Sequence, residues 1–282
     1  MATHSSPRDL LRGYVEVSSL PMIHIRLDEA INNPRKSMAD IAKIIREDPG
    51  LTARLLRIVN SAFYNFPSRV DTISQAVTII GTQQLGALAL ATSVMQLFKG
   101  IPEEFVSMDS FWRHSVACGL AARVIGTLRR EPNPERLFVA GILHDIGRLV
   151  MFTKATDGSR DAFVRARDQN ILLVDAERDA VGFTHAVVGG VLLQTWKLPG
   201  ILEEVVMFHH NPQAATKFPM ETSIVHIADI IAHAMELGSS GEHFVPPLNG
   251  EAWERLGLQI SVLPSVVEQV DRQYQDAIHS IL

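Results

Sequence analysis

Apolar residues recur at the spacing of an α-helix along most of this chain, and no convincing run of strand-like alternation interrupts them. Several helix starts are legible. Ser37 precedes Met38-Ala39-Asp40-Ile41-Ala42-Lys43-Ile44-Ile45, a capping hydroxyl with an acid three residues on. Asp48-Pro49 sets a capping acid before a proline at the first helical position, leading into Leu51 to Val59. Gly81 ends the helix that carries Ala76, Val77, Ile79 and Ile80, and Thr82 is placed to cap the next, which runs through Phe98. Further helices are predicted near 103–130, 134–153, 158–169, 174–181, 185–197, 199–210 and 221–238. The segment 238–250, rich in Gly, Ser and Pro, reads as a loop, before helices near 251–256 and 264–280.

This pattern predicts an all-α fold. Lys99-Gly100-Ile101-Pro102 is a natural punctuation point, dividing an N-terminal helical lobe (1–100) from a second lobe (101–238), with a loop and helices (239–282) to finish. Two helices meeting at Gly81-Thr82 resemble a helix-turn-helix. The second of them, Gln83 to Ala91, has no Arg or Lys to meet phosphates, so two packed core helices are the better reading.

Composition narrows the class. Apolar residues make up 46 % and charged residues 20 % of 282, with a net charge of −5, which fits a globular domain and disfavours a broad nucleic-acid footprint. Cys118 is the single cysteine, so no intrachain disulfide forms and a cytoplasmic setting is expected; its small neighbours suggest packing. The first residues lack the apolar core of a signal peptide, and the apolar stretch Leu85–Phe98 is too short to span a bilayer.

The chemistry concentrates in histidines and aspartates set among apolar residues. His144-Asp145 lies inside Leu137 to Leu149, where a buried carboxylate and imidazole need partners, and a cation is a good one. Adjacent residues on a helix point about 100° apart, so the pair shares an ion only across the helix edge. His114 reads either as a ligand or as a core histidine bonded to a carbonyl. His185 follows a capping Thr184, and is either a ligand or a plain first-turn residue. His209-His210 stands at a helix stop, Asn211-Pro212, where two side chains can splay toward one point or complement the helix dipole. Asp229 is an acid on an apolar face that needs a metal or an arginine. His226 and His233 read as its supporting partners or, more blandly, as surface histidines.

Taken in order, His114, His144-Asp145, His185, His209-His210 and Asp229 resemble the HD superfamily of metal-dependent phosphohydrolases, most of all the two-metal HD-GYP type. The resemblance implies an HD-type helical bundle in which His114, His144, Asp145 and Asp229 hold one metal. Asp145 would bridge to a second metal held by His185, His209 and His210. The N-terminal half is similar to the HDOD domain, a bacterial signalling module. The resemblance rests on Leu20-Pro21, on Asp48 to Arg57, on Val59-Asn60-Ser61-Ala62-Phe63-Tyr64, and on Ile73 to Val77 with Ile80-Gly81. HDOD proteins commonly lack some of these ligands, whereas this chain keeps the series. It departs from HD-GYP in having no Gly-Tyr-Pro after His209-His210, Ser110 in place of an acid, and Arg148 where a lysine is frequent.

The resemblance therefore implies a signal-transduction protein with a dinuclear centre, with His144, Asp145 and Arg148 as catalytic residues and Arg148 charging the leaving phosphate. Donors of N and O alone favour iron or manganese over zinc. A phosphoester or nucleotide ligand and a signalling protein partner are expected; a membrane and nucleic acid are not. The alternative is a non-catalytic interaction module in which any metal is structural.

Overall fold

A computed structural model describes residues 6–12, 22–61, 64, 66–98, 101 and 103–282. Among them there is no strand, so the all-α expectation holds. Parts of the predicted motifs, namely Leu20-Pro21, Ala62, Phe63 and the punctuation residues Lys99, Gly100 and Pro102, lie outside the described residues.

The first helices are α1 (Pro7–Leu11), α2 (Met22–Ile31), α3 (Met38–Arg46), α4 (Pro49–Val59), α5 (Ile73–Ile80) and α6 (Thr82–Leu97). Ser37 and Asp40 form the full capping box expected for α3, and Asp48 caps α4 by accepting from Leu51 N. A second box, Thr72 with Gln75, starts α5. Gly81 ends α5 with φ 91°, and it, rather than Thr82, occupies the N-cap of α6. Thr82 is already helical and makes no capping bond, because the bend at Gly81 leaves it inside the first turn. α5 and α6 meet at a 118° bend, and α6 is buried over most of its length, as core helices rather than a DNA reader would be.

The second group is α7 (Met108–Leu128), α8 (Pro134–Leu143), α9 (Ile146–Lys154), α10 (Thr156–Gln169), α11 (Leu173–Val181), α12 (His185–Thr195), α13 (Gly200–Phe208) and α14 (Pro219–Ala234). α15 (Gly250–Leu256) and α16 (Leu263–Ile281) follow. The long α7 is the spine: α8, α14 and α16 all pack on it. α9 packs on α12, α12 on α13, and α10 on α11. α6 leans on α8, and α16 reaches back to touch both α4 and α7, so one main apolar core runs through most of the array, with a small separate cluster of Ala162, Ala166, Leu173 and Ala176 between α10 and α11. Among the described residues no single helix is long and apolar enough to cross a membrane.

One departure shapes the site. The apolar run Leu137–Leu149 is not one helix: it breaks at His144-Asp145, where Asp145 leaves helical geometry at φ −98°, ψ 7°. The break frees the two side chains from the roughly 100° divergence of neighbours on a continuous helix.

Candidate metal centre

Seven side chains from six helices and their ends converge in the interior. His114 projects from the middle of α7, His144 caps the end of α8, and Asp145 opens α9. His185 begins α12, His209 and His210 close α13, and Asp229 sits midway along α14. Their donor atoms fall into two groups, each with every atom within 4.8 Å of the others: His114, His144 and Asp229, and Asp145, His185, His209 and His210. Asp145 faces both. Its Oδ2 lies 3.2 Å from His144 Nε2, and its Oδ1 lies 2.8 Å from His185 Nε2 and 3.8 Å from His209 Nε2. Asp229 Oδ1 stands 3.1 Å from His114 Nε2 and 3.4 Å from His144 Nε2.

Local structure aims these rings. His144 Nδ1 donates to Gly141 O at 2.7 Å, and His209 Nδ1 donates to Val206 O at 2.8 Å. A carbonyl can only accept, so in each neutral ring Nδ1 carries the hydrogen and Nε2 turns a lone pair inward. His226 donates to His209 O at 2.8 Å and accepts from Asn249 N, fixing the helix end that carries the His209-His210 pair. His233 Nδ1 lies 3.0 Å from Asp229 Oδ1, and its ring packs against His114. The surface reading of these two histidines is thus corrected: α14 packs on α7 and α13 and carries both faces inward. The signal available in the sequence was their spacing of three and four residues from Asp229.

The charges are strongly coupled. Burial pushes His114 down to about 4 and His209 down to about 3, the latter helped by His144 and His185. His210 is held well below the usual range for the same first reason. Burial also opposes charge on His144, yet Asp145 and its neighbours raise it well above an ordinary histidine. Burial would lift Asp145 and Asp229, but Arg148, His144 and His185 around the first, and His233, His114 and His144 around the second, hold both well below a normal carboxylate. Arg148 is 1 % exposed. Its Nε lies 3.3 Å from Asp145 Oδ1 and 3.9 Å from Glu177 Oε1, and its Nη1 donates to Ser240 O at 3.4 Å. Cys118, behind His144 on α7, is fully buried, and burial pushes its thiol up.

The donor set fits divalent cations. His144 Nε2 and Asp145 Oδ1 are buried without a hydrogen-bond partner, and the inward nitrogens of His185 and His209 approach to 3.5 Å. Lone pairs converging on buried carboxylates repel unless positive charge lies between them. Five imidazoles and two carboxylates, with no thiolate, suit several first-row metals.

Glu177, on α11, was missed in the sequence. It is 3 % exposed and bonds both the backbone N and the Nδ1 of His185. Burial would raise its pKa, but His185 and Arg148 hold it low. Its signal was weak: an acid on the stripe Leu173, Val174, Ala176 and Glu177, in a segment otherwise charged.

This buried assembly of helices around histidines and aspartates defines a helical domain with a candidate metal centre. The sequence profile of the HDOD domain matches residues 17–212, so the chain belongs to the HDOD family. It is 27 % identical over 222 residues to an uncharacterized protein of Treponema pallidum (strain Nichols). The match takes in 76 % of this chain but 42 % of the relative, so the chain spans less than half that protein's length. An HDOD domain protein of Geobacter sulfurreducens superposes with a TM-score of 0.77 at 23 % identity, over 95 % of this chain and 96 % of its own. A candidate phosphohydrolase of Shewanella amazonensis SB2B does so at 0.76 and 23 %, over 99 % and 100 %. These structures establish the shared fold.

Proposed function

We propose that this protein is a signalling phosphohydrolase of the HDOD type that retains a dinuclear metal site. The observation that carries the reading is the inward set of imidazole nitrogens converging with two carboxylates in a water-poor interior. His114, His144 and Asp229 would hold one ion, His185, His209 and His210 the other, and Asp145 would give one oxygen to each. A pair of ions so held supplies activation of water and neutralisation of phosphate charge. Iron or manganese suits the N/O donors ahead of zinc. Arg148 supplies fixed positive charge on the Asp145 flank, where a phosphate oxygen of a phosphoester or nucleotide substrate would be met. The name of the Shewanella neighbour agrees with this class.

A second reading has its own support. Every candidate ligand except His210 is buried, and the segment around Ser240 packs over Arg148, so a substrate needs an opening. In that reading the protein is an interaction module for a signalling partner, and the ions staple helices from distant parts of the chain. Elemental analysis of the purified protein, followed by phosphate release from a panel of phosphoesters, separates the two. Turnover by the native protein and its loss in Asp145→Asn and His144→Ala, with unchanged circular dichroism, support the hydrolase. Bound metal with no turnover on any phosphoester supports the module, and absence of metal refutes both roles for the site.

A further inference from the structure

Of the histidines at the two helix ends and at the start of α12, His185 is held differently. His144 and His209 close helices, where the carbonyl three residues back is free to accept from Nδ1. His185 is the first residue of its helix and has no such carbonyl. Its Nδ1 turns to another element: Glu177 Oε2, 2.6 Å away, which also accepts from His185 N at 2.9 Å. A carboxylate accepts and does not donate, so Nδ1 carries the hydrogen. The Nε2 lone pair then faces Asp145 Oδ1 at 2.8 Å and His210 Nε2 at 3.1 Å. Glu177 has a second contact. Its Oε1 lies 3.9 Å from Arg148 Nε, on the guanidinium that also leans on Asp145 at 3.3 Å. Two carboxylates thus share one guanidinium beside the His185, His209 and His210 nitrogens, and Glu242 also acts on it. With Glu177 neutral, one negative charge fewer would offset Arg148, and the pull on a cation at that half would weaken.

We propose that Glu177, on a helix that supplies no ligand, is the positioning residue for one half of the dinuclear site: it fixes the His185 ring for Nε2 ligation and shares the Arg148 guanidinium with Asp145. The inference rests on the metal reading above. Its consequence is asymmetry. The His114, His144 and Asp229 half is aimed by the Gly141 carbonyl and by His233 and does not depend on Glu177, whereas the His185 half does. Outer carboxylates on metal-bound histidines are worth about 10–100-fold in affinity.

The test is a Mn2+ titration of the metal-free wild type and Glu177→Gln, with free Mn2+ and the spin signal of the bound ions read by electron paramagnetic resonance. The expected result is two equivalents with an exchange-coupled signal in the wild type. In E177Q the first equivalent should bind unchanged and give an isolated six-line signal, while the second is weakened about 10–100-fold. Two unchanged affinities in E177Q, or two that fall together, overturn the proposal while leaving the metal reading intact. A measurement on the unmutated chain guards against a variant that does not fold. In Zn2+-loaded wild type, two-bond nitrogen–proton NMR correlations should show His185 carrying its hydrogen on Nδ1, and a hydrogen on Nε2 overturns the assignment. Failure of the wild type to bind Mn2+ or Zn2+ overturns the metal reading and this inference together, a distinct outcome.

Discussion

Gly147 sits where α9 and α12 come closest, and replacing it with alanine should damage the site from behind. A Cβ at this position would stand 2.0 Å from His185 O and 2.6 Å from Gly189 N, whereas ordinary contact begins near 3.4 Å. Both obstacles are backbone, so no side chain can swing aside, and the helices must part by roughly 1 Å. Overpacking of this kind costs about 1–3 kcal/mol, and rigid backbone on the receiving side places Gly147→Ala at the upper end. For a chain of this size that is a fall in Tm of about 5 °C. The displaced group is the first residue of α12, so His185 would retreat from Asp145, now 2.8 Å away. Misplacement by about 1 Å is enough to cost on the order of a hundredfold at a functional centre. Calorimetry with and without Mn2+, alongside a Mn2+ titration, reads both effects. Gly250→Ala, where a Cβ meets nothing within 4 Å, is the control and should leave stability within about 1 kcal/mol of the wild type. A G147A protein that melts with the wild type and binds Mn2+ equally well would refute the claim that this approach positions His185.

Other outcomes follow from the same coordinates. Verified removal of bound ions by chelation should lower Tm, by the equivalent of about 2.7 kcal/mol per ion held at a hundredfold over its Kd; an unchanged Tm counts against any stapling role. His24, 7 % exposed on α2, is lowered to about 4 by burial, with Asp28 opposing. Between an unfolded value near 6.5 and that folded value the unfolded chain binds the extra proton, so stability falls as pH falls through this window, by up to about 3 kcal/mol. Urea midpoints at pH 7.5 and 4.5 should therefore converge more in His24→Gln than in the wild type, and equal losses in both would refute the assignment. Asn60 donates to Leu56 O and Val70 O and accepts from Val70 N, tying the end of α4 to the segment before α5. Asn60→Ala should cost about 2 kcal/mol in a thermal melt, and a cost under a few tenths would show that the tie is replaced by water.

Much of this arrangement was legible in the sequence, for a definite reason. Ser37 with Asp40 and Asp48 with Pro49 act through bonds three residues long, so local spelling predicts them. The seven clustered residues stood out because polar groups in apolar helices need partners, and the resemblance of their order to HD proteins implied the grouping. The break at His144-Asp145 was not visible, since apolar residues run on either side of the pair and no proline marks a stop there. Glu177 and the buried places of His226 and His233 were hidden for a related reason. Which face of α11 or α14 turns inward depends on the helices packed against it, far along the chain.

The distance along the chain between His114 and Asp229, 115 positions, sets a schedule for assembly. The backbone that carries the first group of ligands leaves the ribosome long before the residue that completes it. α16, which packs on both α4 and α7, emerges later still. Contacts of such separation form late, after the entropy of closing the intervening loops has been overcome. In the proposed metal reading, ions would therefore enter only after these distant helices have come together, drawn from whichever ions the surroundings then hold in exchangeable form.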